Sequence, residues 1–228
     1  MATRRTWFAR VPHRSGAPRI LPPMDLSTLL AAATAAVAGY LIGGIPWGVI
    51  IARVVGGPDP RTLGSGRTGG ANVLRALGPR AAAVSGLLDM LKGTAAVALV
   101  RLLGLGPAFE VIAALAAILG HSRSPFIGFQ GGRGVSAAYG GLLIISPLAA
   151  AVVLPLFAVV VLVSRYSSLG SLTGAVAGGV VLAAQVLAAG QPAPYLVYAL
   201  AGPAMIWLFH ADNIQRLLNG TERKVGQR

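Results

Sequence analysis

The 27 residues from Leu26 to Ala52 contain no charged side chain. An α-helix needs about 20 apolar residues to cross the hydrocarbon of a bilayer, so this run spans one with residues to spare. Similar stretches follow. Residues 81–100 are apolar except for Asp89 and Lys92, and residues 102–119 except for Glu110. Residues 134–164 and 166–209 carry no charge at all. Pro147 and Pro155 allow the first of these long runs to break into two short helices, and GQPAP at 190–194 divides the second. The pattern predicts an all-α polytopic membrane protein with about seven transmembrane helices. Residues 24–228 form its single integral-membrane domain. Composition agrees: 11% of residues are charged, against about a quarter in a soluble domain.

The net charge of +13 would point a soluble chain towards nucleic acid. Here the cations flank the apolar runs, so nucleic acid is excluded as a partner. They are also unevenly placed. The loops after the first, third, fifth and seventh helices carry Arg61, Arg67 and Arg75, then Arg123 and Arg133, then Arg165, then Arg216, Arg223, Lys224 and Arg228. The alternate loops are nearly bare, with Arg101 the exception. The preference of Lys and Arg for the inner side of the membrane makes the rich face cytoplasmic. Five arginines precede Met24, among four prolines and no acid. They would fall on the wrong face, so residues 1–23 are expected to be a disordered basic extension or a mis-called start. There is no cysteine and there are three histidines, so thiolate chemistry is excluded, and no metal or other cofactor is expected.

The rich loops are unusual for connectors. Residues 64–75 read GSGRTGGANVLR, in which Gly64, Gly66 and Gly69 spell the dinucleotide fingerprint G-x-G-x-x-G. That fingerprint has meaning only after a strand, inside a βαβ unit. A membrane helix precedes it here, which removes the nucleotide reading. What remains is a turn whose backbone N–H groups form a concave nest for an anion, with arginine at its edge as a bidentate partner for phosphate. A second such loop, GHSRSPFIGFQGGRGV, covers 120–135. SRYSSLGS (164–171) and HADNIQRLLNGTERK (210–224) add Ser, His and Asn to the same face. Two glycine loops imply two phosphate-bearing groups.

These four segments, in this order, resemble the bacterial acyl-phosphate:glycerol-3-phosphate acyltransferase family, PlsY. That family shows GSGN-x-GATN-x-x-R, GH…F-x-GGKGVAT, RY-x-SL and H-x-x-N-I-x-R-L-x-x-G-x-E. The resemblance runs from about residue 40 to residue 224. It implies transfer of an acyl group from acyl phosphate to the 1-hydroxyl of glycerol 3-phosphate at the cytoplasmic face of a bacterial cell membrane. The products are lysophosphatidate and phosphate, and membrane lipids surround a monomer. Carried over residue by residue, it implies catalytic roles for Ser65, Arg75, His210 and Asn213. It implies substrate binding by Gly64, Gly66, Gly69 and Asn72, by Gly131, Gly132, Arg133 and Gly134, and by Ser168. His210 and Asn213, spaced i and i+3, share a helical face. Glu222 is expected to be a structural partner for an arginine. Asp89 and Lys92, inside a membrane helix, are expected to neutralise each other.

The chain departs from the family pattern at several positions. Arg67 replaces Asn, Ala71 replaces Thr, Arg133 replaces Lys, and Arg123-Ser124 stands where an aromatic residue and Pro are usual. Cation is added near both glycine loops, as in a divergent member of the family. Two readings stand at this point. One is the acyltransferase. The other is a phosphate-compound-binding or transport membrane protein of the same fold without acyltransferase activity.

Overall fold

A computed structural model describes residues 25–226, and every regular element within them is a helix. The basic extension at 1–23 and Arg228 lie outside the described residues. Helix α1 covers Leu26–Gly44 and is capped by Asp25, whose carboxylate accepts from the Thr28 N–H at 2.8 Å. It is followed by α2 (Trp47–Val54), α3 (Gly70–Leu77), α4 (Pro79–Leu102), α5 (Pro107–Ser122) and α6 (Val135–Ile145). The chain ends with α7 (Pro147–Ser164), α8 (Ser167–Ala188), α9 (Tyr195–Phe209) and α10 (Ala211–Leu218).

The seven expected apolar segments correspond to α1 with α2, then α4, α5, α6, α7, α8 and α9. Four of these stretches, 26–54, 79–102, 147–164 and 167–188, are long and apolar enough to cross a membrane, while α6 and α9 are apolar but shorter. Two differences from the sequence reading have a backbone cause. The first run is not one helix: Pro46 has no N–H to donate, and the chain breaks at Ile45 before restarting as α2. The run 134–164 breaks into two helices as expected, but only at Ser146-Pro147, because the first turn of α7 tolerates a proline; Pro155 stays inside α7. The outward faces are aliphatic. Leu162 and Val163 of α7 are 80% and 82% exposed, as expected of side chains that face lipid rather than water.

Small residues bring the helices close. Gly39 and Gly43 of α1 lie against the backbone at Ala113 and Ala117 of α5, and Gly93 of α4 lies against Ala137 of α6. Such contacts replace the hydrophobic drive that lipid cannot supply. Val97, Ile118, Leu142, Leu182 and Ile206 fill the centre. Inside the bundle Asp89 and Lys92 pair at 2.7 Å, both buried, and Lys92 also donates to the Ile45 carbonyl at 2.7 Å. Lys92 thus faces protein, as expected of a neutralising pair. Arg101, the exception in the bare loops, is neutralised too. It pairs with Glu110 at 2.7 Å, and Glu110 also accepts from the Tyr195 hydroxyl at 2.7 Å.

Candidate functional site

The first glycine loop joins α2 to α3. Gly64 and Gly66 adopt φ of 56° and 68°, a left-handed conformation that side chains disfavour. Asn72, 2% exposed, organises the loop from α3. Its amide nitrogen donates to the carbonyls of Leu63 at 2.9 Å and Arg67 at 3.0 Å, and its oxygen accepts from Arg75 at 2.9 Å. The valences of Asn72 are therefore spent on the loop and on Arg75, which makes it a positioning residue. It also explains Gly64, because a β-carbon there would stand 2.5 Å from the Asn72 oxygen. Gly69 and Gly70 have open space around them. Burial, with the nearby Arg223, lowers the Arg75 guanidinium pKa from its usual value, although Glu222 partly offsets it.

The second loop leads into α6. Gly132 donates its N–H to the His121 carbonyl at 3.1 Å. A β-carbon on Gly131 would overlap that carbonyl oxygen, one on Gly132 would overlap the His121 ring, and one on Gly134 would come 2.8 Å from Ile118. These glycines are required by the protein's own packing. The loop presents Arg133, which pairs with Asp212 at 2.7 Å and leaves its buried Nε without a partner. Burial pulls the Arg133 pKa below its ordinary value.

The last two motifs meet around Glu222. Its Oε1 accepts from Ser168 at 2.7 Å and from Asn213 at 2.6 Å, and its Oε2 accepts from Arg216 at 2.8 Å. Burial alone would raise this carboxyl, but the three donors outweigh it and hold the pKa below 4.5. Glu222 is thus the partner of an arginine, as expected, and the hub for Ser168 and Asn213 as well. The Asn213 oxygen is buried and unpartnered. His210 stands just beyond α9, 3% exposed, with Nδ1 2.8 Å from the Ile206 carbonyl. A carbonyl only accepts, so Nδ1 carries the proton and Nε2 keeps a lone pair. Burial pushes its pKa down to about 4, so the imidazole is neutral at pH 7.

These groups line a cavity of about 240 Å³. Of the expected residues, Gly64, Ser65, Gly69, Asn72, Arg75, Arg133, Ser168, His210 and Asn213 border it. Gly66, Gly131, Gly132 and Gly134 do not; they shape the loops behind it. Arg67, Arg216, Arg223, Asp89, His121, Ser136 and Ser171 border it and were not among the expected site residues. Arg67, Arg216 and Arg223 were legible as loop cations, whereas nothing in the pattern marked Ser136. Beside the cavity runs an apolar groove of about 320 Å³ between α4, α6, α7, α8 and α9. The two share Val135, Ser136, Phe157 and Ser171. A cationic chamber thus opens onto a greasy channel. Among the described residues no group of His, Asp and Glu is placed to hold a metal ion.

Residues 33–220 match the family model of the glycerol-3-phosphate acyltransferases. A glycerol-3-phosphate acyltransferase of Synechococcus sp. (strain JA-3-3Ab) is 43% identical over 206 residues, which is 90% of this chain and 97% of that protein. One from Rubrobacter xylanophilus is 42% identical over 190 residues, covering 83% and 93%. Among solved structures, PlsY (YgiH), an integral membrane glycerol 3-phosphate acyltransferase, is similar in its glycerol 3-phosphate form. The TM-score is 0.78 at 35% identity, over 86% of this chain and 96% of that one. Its lysophosphatidic acid form gives 0.76 at 34%.

Proposed function

This chain belongs to the glycerol-3-phosphate acyltransferase family, and from that premise we propose how its cavity and groove divide the reaction. The protein is a membrane enzyme that acylates glycerol 3-phosphate. The observation that carries the division is the junction at Val135, Ser136, Phe157 and Ser171, where a cation-lined chamber meets an apolar groove. An acyl phosphate suits that junction, with its chain in the groove and its phosphate among the arginines. Glycerol 3-phosphate brings the second phosphate, and Arg67, Arg75, Arg133, Arg216 and Arg223 supply the counter-charge.

The reaction needs little more than placement. The 1-hydroxyl oxygen bonds to the acyl carbon, the bond from that carbon to the phosphate oxygen breaks, and the hydroxyl proton leaves with the phosphate. Neutral His210 offers Nε2 to that hydroxyl and orients it. With its pKa near 4 it is a weak base, so a phosphate oxygen, whose second pKa lies near 6, is the better proton acceptor. Arginine charge stabilises the departing phosphate. Ser65, at the edge of the first loop, completes the donor set. The charge pattern of the loops supports a cytoplasmic position for this face, and every group that the scheme uses comes from one chain.

The test compares donors. Labelled glycerol 3-phosphate is supplied with acyl phosphate, acyl-CoA or acyl-carrier protein in lipid. Lysophosphatidate formed from acyl phosphate alone supports the scheme. Product from either of the others alone overturns the donor assignment, and no product from any donor returns the chain to a binding or transport role.

A further inference from the structure

Asp89 is a carboxylate in a chamber built for anions. Its side chain is 4% exposed, yet it borders the cavity between the two glycine loops. Lys92 Nζ stands 2.7 Å from its Oδ1, and His121 Nδ1 stands 3.5 Å from the same oxygen. No hydrogen bond from a described residue falls on Oδ2. Glu222, the other carboxylate on the cavity wall, has both oxygens engaged by Ser168, Asn213 and Arg216. The carboxylate is also held still, because Lys92 is tied to the Ile45 carbonyl at 2.7 Å.

A carboxylate repels phosphate and accepts from a hydroxyl. Glycerol 3-phosphate has a phosphate at one end and two hydroxyls at the other. The arginines answer the phosphate, and His210 Nε2 answers the 1-hydroxyl. The 2-hydroxyl needs an acceptor of its own. We propose that Asp89 accepts a hydrogen bond from the 2-hydroxyl of glycerol 3-phosphate through Oδ2, and so selects this acceptor over phosphates with no donor at C2. The assignment rests on the acyltransferase reading. It makes Asp89 a specificity residue: a site built to bond a hydroxyl rejects the analogue that lacks it, since its own polar group is then left unmatched. The Lys92 pairing, which neutralises the charge, also leaves one oxygen for the substrate.

Three acceptors separate the possibilities. 3-Hydroxypropyl phosphate keeps the phosphate and the terminal hydroxyl but has no 2-hydroxyl. Dihydroxyacetone phosphate presents a carbonyl at C2, which cannot donate. The wild type is expected to favour glycerol 3-phosphate over 3-hydroxypropyl phosphate by about 10- to 100-fold in kcat/KM, the range for a hydrogen bond to a charged group. It should reject dihydroxyacetone phosphate at least as strongly. In Asp89→Asn the preference should shrink to a few-fold, because the rate on glycerol 3-phosphate falls while that on 3-hydroxypropyl phosphate holds. Asp89→Asn with Lys92→Met repeats the test without an orphaned buried cation, in case the single variant does not fold. A purely structural Asp89 would lower both rates together and leave the preference intact, and that result overturns the inference. Calorimetric binding of the same phosphates needs no acyl donor. A wild type that discriminates in binding but makes no product would overturn the acyltransferase reading and leave the assignment of Asp89 standing. A wild type that binds the two phosphates equally overturns the assignment.

Discussion

Glycines do two different jobs at this site, and two single methyl groups separate them. A β-carbon on Gly131 would stand 2.9 Å from the carbonyl carbon and oxygen of Ser122, and closer still to the His121 carbonyl oxygen. Unbonded heavy atoms settle at about 3.5–4.0 Å, and a backbone carbonyl cannot swing aside as a side-chain tip can. Gly131→Ala must therefore move the loop by about an ångström. The cost in stability is about 1–3 kcal/mol. The larger effect falls on Arg133, two residues on, because a 1 Å misplacement of a positioning group costs about 100-fold. Gly70 is the opposite case. It opens α3, borders the cavity, and has nothing within 4 Å of where a β-carbon would be. Gly70→Ala should leave the fold intact or stabilise it by up to about 1 kcal/mol, yet raise KM, since the methyl occupies space that the phosphate needs. Initial rates against glycerol 3-phosphate and thermal unfolding in micelles read the two effects apart. Wild-type KM in Gly131→Ala would refute the packing argument. Wild-type KM in Gly70→Ala would show that no ligand approaches that backbone.

Three further outcomes follow from the same geometry. Asn72→Ala strips the first loop of two donors and frees Arg75; unfolding free energy should drop by about 2–3 kcal/mol, and KM should rise, whereas an unchanged KM would contradict the positioning role. His210 is held neutral, with a pKa of about 4 against an ordinary 6.5. The unfolded chain therefore binds more protons between those values, and stability from this group is complete above pH 6.5 and fades as pH falls towards 4, at about 1.4 kcal/mol per unit of separation. His210→Asn should flatten that part of the melting-temperature profile, and an unaltered profile would assign the acid loss elsewhere. Gly174 borders the apolar groove, and a β-carbon there would already stand 3.3 Å from Val153. Gly174→Leu should abolish turnover of long-chain donors while sparing short ones, and equal loss at every length would place the chain outside this groove.

The sequence made the bundle legible because lipid imposes a blunt rule. Long uncharged runs had to be helices, GQPAP had to separate two of them, and loop charge sorted the ends, so the convergence of four motifs on one cavity could be anticipated. The interruption at Ile45-Pro46 was visible as a proline but masked by the continuous hydropathy around it. The family resemblance carried Glu222, and the i, i+3 spacing inside a membrane helix carried the Asp89–Lys92 pair. Local pattern could not separate the two uses of glycine. Gly131 and Gly132 look like Gly69 and Gly70 in the chain, yet one pair is answered by His121 and the other by open space. That difference exists only once α5 is laid beside the loop. Asn72 and Ser168 border the cavity, but the protein partners that each also has, Leu63 and Arg67 for the one and Glu222 for the other, show only in the folded chain. Asp89 reached the cavity wall through the depth of α4 in the bundle, which no spacing encodes.

The central claim is that one chamber holds both phosphates and passes the acyl group between them. Phosphate release from palmitoyl phosphate by the purified protein in lipid tests it most directly, with and without glycerol 3-phosphate. The account predicts release that depends on glycerol 3-phosphate, matches lysophosphatidate formed mole for mole, and is lost in Arg133→Ala and His210→Ala. Release that proceeds at the same rate without glycerol 3-phosphate, or that survives both substitutions, would contradict it.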